Sequence, residues 1–239
     1  MERNKSAEDL IKSILQRLNM AEVMEEDLYD NIDHAELVAV LVRLLCTQME
    51  LPLDFQHQVV MAAYLHDIGK LRLSDNLYGR DKNALQIEET KYMRMHAKVG
   101  ADMLEECGFT TEICNAVHHH HENYDGSGYP GNLTEEKIPL EARILRVCDV
   151  FAALISDRPY RRAFDVDTAM DLMIEDNKSF DMKIFLEFMK IYHSEEFSQV
   201  ISCADEINKR NIYGKSRERG SYGRIHEGFK ENPQMYRGF

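Results

Sequence analysis

Apolar residues recur along most of this chain at the three- and four-residue spacing of an amphipathic helix. The first stripe runs from Leu10 to Leu18, behind Ser6 and Asp9, which resemble a capping box. Further stripes predict helices over residues 26–49, 54–65, 87–107, 111–123, 139–156, 167–176, 181–193 and 194–210. No stretch alternates as a half-buried strand does, and no segment repeats at solenoid spacing. The pattern therefore predicts an all-α bundle.

Local signals predict where several of these helices begin and end. Asp54, Asp167 and Asp181 are placed as N-caps, since a short carboxylate can accept from the first free backbone N–H groups. Gly69 and Gly108 are placed as helix stops. Residues 71–85 contain Gly79 among several Asp and Asn, so they are expected to form a loop that acts as a lid.

Charge and composition divide the chain into three parts. The whole chain carries −13, yet from Asn208 onwards eight Lys/Arg stand against three Asp/Glu, a local net charge of +5. We expect an N-terminal helix and extension over 1–25, a main catalytic domain over 26–193, and a C-terminal helix with a basic tail over 194–239. The tail from Asn211 lacks apolar periodicity, so it is expected to be flexible or to become ordered against a protein partner.

The acidic balance and the cysteines limit the classes of partner and compartment. A net charge of −13 disfavours nonspecific binding to nucleic acid or to an anionic membrane. Five cysteines without a Cys-x-x-Cys pair favour free thiols in a reducing cytoplasm, and no apolar run has the length of a membrane span. We therefore expect a cytoplasmic protein without a membrane span.

Candidate chemistry centres on the adjacent pair His66-Asp67, which could give one nitrogen and one bridging carboxylate to two metal ions. A single His-Asp pair is weak evidence, because most histidines are surface or hydrogen-bonded residues. The neighbouring helices, however, carry further ligand types: His34, His96, His120, His121 and Asp149. Imidazoles and carboxylates together suit iron, manganese or zinc, while the absence of clustered cysteines argues against a structural zinc site.

These residues lie in motifs that resemble the HD-GYP family, a branch of the HD-domain metal-dependent phosphohydrolases that degrades cyclic di-GMP. The motifs are His66-Asp67-Ile68-Gly69-Lys70, then His120-His121-Glu122-Asn123-Tyr124-Asp125-Gly126-Ser127-Gly128-Tyr129-Pro130, then Asp149 followed by Ser156-Asp157-Arg158-Pro159-Tyr160-Arg161. The likeness covers about residues 26–193. It implies an HD-domain helical bundle with a metal site at its centre.

The resemblance also assigns roles. Two or three iron or manganese ions would be held by His34, His66, Asp67, His96, His120, His121 and Asp149, with Asp67 as the bridge. Water held between two ions would be acidic enough to react as hydroxide at neutral pH. The catalytic candidates are Asp67, as the bridge, and Lys70. Lys70, Arg158 and Arg161 would hold the phosphates or guanine edges of the substrate. Alternatively, these cations satisfy carbonyls at helix C-termini, the interpretation that we prefer for Arg162.

Two details of this sequence bear on the resemblance. In the run of four histidines, the following Glu-x-x-Asp-Gly-x-Gly-Tyr-Pro assigns His120 and His121 as ligands, so His118 and His119 are expected to be solvent-facing helix residues. Asp30, one turn before His34, stands where relatives with a third metal have Glu. It is one methylene shorter, which favours a two-metal core with a weak third site at Asp30.

The predicted function is hydrolysis of cyclic di-GMP to linear pGpG, with GMP as a candidate final product. One alternative is an HD-type hydrolase of another cyclic dinucleotide or nucleotide. The other is a protein that binds cyclic di-GMP or a partner without catalysis. The intact ligand set disfavours that last alternative.

Overall fold

The described part of the chain is helical, which confirms the predicted all-α class. A computed structural model describes residues 5–20, 25–77, 93–157 and 161–218, and these ranges contain no strand. The α-helices are α1 (Lys5–Arg17), α2 (Glu25–Gln48), α3 (Leu53–Leu65), α4 (Ile68–Leu77), α5 (His96–Glu106), α6 (Thr111–His119), α7 (Leu140–Leu154), α8 (Val166–Glu175), α9 (Met182–Tyr192) and α10 (Ser198–Glu218).

Helix α2 forms the centre of the bundle. It packs against α3, α7, α9 and α10, and its Leu37, Leu41 and Leu45 are at most 1% exposed. These positions recur every four residues, so one face of a long helix enters the core along its whole length. Helix α1 adds Ile11 and Ile14 to the same cluster of buried side chains. Because α1 shares the core of the later helices, the structure does not mark the predicted domain boundary at residue 25, which stays a prediction.

The predicted helix stop at Gly69 is wrong. The chain turns at His66 and Asp67, and α4 begins directly afterwards with Gly69 as its second residue. A Cβ atom on Gly69 would lie 2.1 Å from the carbonyl oxygen of His96 and 2.6 Å from the nitrogen of Gly100. The glycine is thus needed for the close crossing of α4 and α5. Gly108, with φ +78°, does end its helix as predicted.

Other predicted boundaries shift because tertiary packing outweighs local signals. Residues 71–77, predicted as a loop, belong to α4, since Leu71 and Leu73 are buried. The rest of the predicted lid, 78–85, lies outside the described residues. The segment before His96 turns at Arg94 and Met95, so α5 begins at His96. Helix α10 continues to Glu218, beyond the predicted end at 210.

The predicted N-caps have mixed outcomes. Asp181 caps α9 through the backbone N–H of Lys183, as predicted. Asp165, and not Asp167, caps α8 through Thr168. Asp54 lies inside the first turn of α3, where Pro52 is the cap residue, and α1 already includes Ser6.

None of the described helices combines the length and apolar character that a membrane crossing requires.

Candidate metal centre

Helix ends bring most of the predicted ligands together. His66 follows the last residue of α3 and His120 follows the last residue of α6, so two helix C-termini approach the same region. The partial negative charge of those ends favours a bound cation. His96 is the first residue of α5, while His34 and Asp149 come from the interiors of α2 and α7. The seven predicted ligands form two clusters: Asp67, His96, His120 and His121 in one, and His34, His66 and Asp149 in the other.

Asp67 lies between the two clusters. Its Oδ1 is 3.3 Å from His96 Nε2 and 3.9 Å from His120 Nε2. Its Oδ2 is 3.5 Å from His66 Nε2, on the side of the second cluster. One carboxylate therefore presents a different oxygen to each ligand group. This is the arrangement expected of a carboxylate that bridges two metal ions.

The first cluster has the spacing of ligands around one ion. His96 Nε2 is 3.2 Å from His120 Nε2 and 3.1 Å from His121 Nε2. Two nitrogens at right angles, each about 2.1 Å from one metal, lie roughly 3.0 Å apart. The observed distances match that spacing closely.

Backbone hydrogen bonds orient these rings so that their Nε2 atoms face one another. Nδ1 of His96 donates to the carbonyl of Met93, and Nδ1 of His120 donates to that of Val117. A neutral imidazole carries one proton, so both Nε2 atoms are lone-pair acceptors. With both rings neutral, these lone pairs cannot hydrogen-bond to each other, and a metal ion between them would be favourable. His66 shares this design: Nδ1 contacts the Ala63 carbonyl at 2.8 Å, and its buried Nε2 has no hydrogen-bond donor among the described residues.

Electrostatics keep the imidazoles and carboxylates mostly in the forms that bind metals. Burial lowers the pKa of His120 and His121 well below the usual range, and neighbouring imidazoles lower it further. Burial alone would raise the pKa of Asp67, but Lys70 and His66 hold it well below its usual value. The hydrogen bond from His34 and the nearby ring of His66 likewise outweigh burial at Asp149 and lower its pKa. Neutral imidazoles beside ionised carboxylates fit a divalent metal.

His66 is the exception among the ligands. Burial lowers its pKa, but Asp67 and Asp149 more than offset this and raise it. Without a metal, a proton on His66 would balance part of the two carboxylate charges. A metal ion held at the same place would supply that positive charge instead. The donor set of nitrogens and oxygens suits iron, manganese or zinc, so the residues present fit two metal ions.

The remaining predicted site residues have different outcomes. Lys70 Nζ lies 2.5 Å from Asp67 Oδ2, with 39% of its side chain exposed. Arg161 donates to the carbonyls of Ala153 and Leu154 at the end of α7. The substrate role of both residues stays a prediction. Arg158 and the side chain of Asp30 lie outside the described residues, so neither assignment is tested.

The loop after α6 supports the first cluster through Tyr129. The Tyr129 ring stacks on His121 at 4.7 Å between centroids, and the Arg94 guanidinium lies 5.2 Å from the same ring. Gly128 is required here, because a Cβ would lie 2.2 Å from the nitrogen of Asn123. Buried Arg146 donates to Asn123 Oδ1 at 3.0 Å.

Glu122 is a structural anchor that sequence reasoning missed. It is 1% exposed and accepts from the backbone N–H groups of Gly131 and Leu133, at 2.5 and 3.0 Å. An acidic residue directly after two predicted ligand histidines was the available signal. Burying a carboxylate is favourable only when its oxygens are satisfied, so Glu122 holds the returning end of the loop against the histidines.

We expect Glu122→Gln to loosen this loop. An amide has one acceptor oxygen, so one backbone N–H would face an NH2 group, at a cost of about 1–3 kcal/mol in the free energy of unfolding. Thermal unfolding followed by circular dichroism measures the change. Glu106→Gln, at the exposed end of α5, is the control and should leave the midpoint unchanged. Equal midpoints for the two variants would contradict the anchoring role.

Comparison with known protein families matches an HD-domain model to residues 5–184. This span contains all seven predicted ligands of the two clusters. It also includes α1, which packs into the same core as the ligand-bearing helices.

Several curated relatives are named as cyclic dinucleotide phosphodiesterases. Cyclic di-GMP phosphodiesterase PA4108 of Pseudomonas aeruginosa is 37% identical over 66% of this chain and 38% of its own. A cyclic di-GMP phosphodiesterase of Thermotoga maritima is 30% identical over 77% of this chain and 50% of its own. The 3'3'-cGAMP-specific phosphodiesterase 3 of Vibrio cholerae is 30% identical over 72% of this chain and 38% of its own. The chain thus spans half or less of the length of these relatives.

Solved structures share the fold at low identity. A cyclic GMP-AMP-specific phosphodiesterase of V. cholerae aligns with 90% of this chain and 62% of its own, at a TM-score of 0.54 and 17% identity. Bd1817 of Bdellovibrio bacteriovorus aligns with 80% of this chain and 62% of its own, at a TM-score of 0.56 and 17% identity. At this identity, the likeness concerns the fold alone.

Proposed function

The chain belongs to the HD-domain family, and we propose that it is a metal-dependent phosphodiesterase that hydrolyses cyclic di-GMP. The observation that carries the proposal is the position of Asp67, whose two oxygens face two separate ligand groups. The cyclic di-GMP phosphodiesterases among its relatives support the choice of substrate.

The proposed cofactors are two divalent ions, iron or manganese. One would be held by Asp67, His96, His120 and His121, and the other by His34, His66 and Asp149, with Asp67 shared. A third, weaker site at Asp30 remains part of the proposal, since Asp30 lies one turn before His34 in α2.

The proposed reaction adds water across one phosphodiester bond. The bond from phosphorus to the 3′ oxygen breaks, that oxygen takes a proton, and linear pGpG results; a second hydrolysis gives GMP. When bound by these residues, two divalent ions would lower the pKa of a water molecule enough for attack at neutral pH and would neutralise the phosphate oxygens.

The residues of the chain hold and orient the reactants. Asp67 is kept ionised by Lys70 and His66, and the buried imidazoles of His120 and His121 are kept neutral. The Lys70 ammonium is partly exposed beside Asp67, where it can meet a phosphate oxygen as a point charge.

A second candidate substrate is 3'3'-cGAMP, because relatives of that specificity are 30% identical to this chain. The two substrates differ in one base, so their phosphodiester chemistry at the metal centre is the same. Discrimination must come from contacts to the bases.

A turnover panel tests the proposed function. The full chain, purified without oxygen and loaded with either Fe²⁺ or Mn²⁺, is incubated separately with cyclic di-GMP, 3'3'-cGAMP and cyclic di-AMP. Products are separated by chromatography. The expected result is metal-dependent conversion of cyclic di-GMP to pGpG at the highest kcat/KM of the three. Faster turnover of 3'3'-cGAMP would favour the second candidate, and tight binding without turnover would favour a binding protein.

Arg161→Ala tests the predicted phosphate contact. If Arg161 binds substrate, KM should rise about tenfold or more, the loss of a charge-assisted hydrogen bond, with metal content unchanged. Its observed bonds to Ala153 and Leu154 offer the competing explanation of a helix C-terminal cap. Arg162→Ala, the neighbouring cation, is the control. A lower melting temperature with unchanged KM would assign Arg161 to the cap alone.

The remaining sequence predictions enter the proposal unchanged. We retain a catalytic domain over 26–193, an N-terminal extension, a protein partner for the basic tail, no binding of nucleic acid, and a cytoplasmic location.

A further inference from the structure

Helix α10 lies along α2 with the opposite chain direction. Near its beginning, Gln199 accepts from Arg43 of α2 at 2.9 Å. Eleven residues later, Arg210 pairs with Asp33, ten residues earlier in α2. Val200, Ala204 and Ile207 are buried between these two ends. The helix outside the predicted catalytic domain is therefore packed against a helix that carries a metal ligand.

Arg210 contacts α2 on both sides of His34. Its Nη1 donates to Asp33 Oδ1 at 2.7 Å, and its Nη2 donates to Glu36 Oε2 at 3.4 Å. Asp33 is 2% exposed, so its charge requires a partner inside the protein. Because Asp33 and Glu36 flank His34 within one turn, the guanidinium fixes the rotation of the turn that presents this ligand.

Asn208 contacts the end of α7, the helix that carries Asp149. Its side-chain amide donates to the carbonyl of Ile155 at 3.4 Å, and its Oδ1 accepts from the backbone N–H of Asp157 at 3.2 Å. Ile155 is the C-cap residue of α7. A single amide on α10 thus satisfies two backbone groups where that helix stops.

The two contacts converge on one ligand group. His34 Nε2 lies 3.0 Å from Asp149 Oδ1, and His66 Nε2 lies 3.6 Å from the same oxygen. Helix α10 is bonded to α2 through Arg210 and to α7 through Asn208, and these helices supply two of the three ligands. We propose that Arg210 and Asn208 are positioning residues for the His34, His66 and Asp149 metal group.

The arrangement predicts an asymmetry between the two metal groups. The other group comes from the turn after α3 and from the neighbouring ends of α5 and α6. Helix α10 packs mainly against α2, so loosening it should weaken the binding of one ion and leave the other. The inference rests on the proposed function only in that both groups bind a metal.

The experiment is a calorimetric titration of the metal-free full chain with Mn²⁺. The parent should bind two ions. Arg210→Ala should keep one at the affinity of the parent and bind the second at least tenfold more weakly, and Asn208→Ala should do the same to a smaller extent. Arg210→Lys keeps a charge near Asp33 and should recover part of the loss. Arg43→Ala, at the other end of the α2–α10 contact, is the matched control and should bind both ions as the parent does.

The outcomes separate this inference from the proposed function. Two ions bound with affinities within twofold of the parent by both Arg210→Ala and Asn208→Ala would overturn it. Equal weakening in Arg43→Ala would also overturn it, since general docking of α10 would then explain the effect. If Arg210→Ala does not fold, Asn208→Ala and Arg210→Lys still decide the question. A parent chain that binds fewer than two Mn²⁺ would instead contradict the proposed metal centre, and no step of the test requires turnover.

Discussion

Replacing Asp67 by Asn should lower kcat for cyclic dinucleotide hydrolysis by at least about 10³-fold, equivalent to roughly 4 kcal/mol of transition-state stabilisation. The two carboxylate oxygens face separate ligand groups, and an amide can offer a ligand oxygen to one group only. The second group would then meet an NH2. The substitution also removes the negative charge beside Lys70 Nζ. Metal analysis should show the loss of one ion, and steady-state kinetics measures the rate.

The size and shape of the side chain are almost unchanged, so the helices should remain. Circular dichroism is expected to match that of the parent. Asp102→Asn is the control, because Asp102 pairs with Lys98 on the exposed face of α5, and exposed pairs contribute little. Turnover of Asp67→Asn within a few-fold of the parent would rule out a mechanism that depends on a bridging carboxylate.

Gly69→Ala is expected to have the second large effect. It should destabilise the protein, although alanine has the higher helix propensity. Within an exposed helix, Ala is about 1 kcal/mol more favourable than Gly. Here, the added Cβ would lie 2.1 Å from the His96 carbonyl oxygen and 2.6 Å from the Gly100 nitrogen. Both are backbone atoms, so α5 must move as a unit. Overpacking of this kind costs about 1–3 kcal/mol and occasionally more.

The movement should also reach the metal centre, because His96 is the first residue of α5. A shift of α5 would move Nε2 of His96 away from Nε2 of His120, which lies 3.2 Å from it. We therefore expect a lower melting temperature together with weaker binding of one Mn²⁺, measured by thermal unfolding and calorimetry.

Gly108→Ala separates steric overlap from backbone conformation. Gly108 has φ +78°, and a Cβ there would meet nothing within 4 Å. This substitution should lower the free energy of unfolding only by the strain of the left-handed conformation, about 1–2 kcal/mol. Both metal groups should stay intact. If Gly69→Ala behaved in the same way as Gly108→Ala, the close crossing of α4 and α5 would not control the position of His96.

The set of predicted ligands could be proposed from the sequence because several motifs are local. Adjacent residues such as His66 and Asp67 are together in any fold, and His120 with His121 likewise. Helical periodicity further predicted a helix over residues 26–49, and the structure has one over Glu25–Gln48, with Leu37, Leu41 and Leu45 buried on one face. The resemblance of the motifs then combined these local pieces into one ligand set.

The functions of Gly69 and Glu122 were not predictable in this way. A glycine after a helical stripe has the local signature of a stop, and only the backbone of α5 at 2.1 Å from the Cβ position shows why it lies inside a helix. The bonds of Glu122 join it to residues 131 and 133, across a loop whose path the sequence does not specify. In both cases the decisive atoms belong to a different element.

The sequence by itself determined the helical class, the buried faces of individual helices and the residue types of a metal site. These properties depend on periods of three or four residues and on direct neighbours in the chain. Only the tertiary structure decided the division of seven ligands into two groups and the direction of each Asp67 oxygen. It also decided the contact of α10 with the turn that carries His34, across 177 residues of sequence. Such contacts arise from the packing of whole helices, and local spacing contains no information about which helices meet.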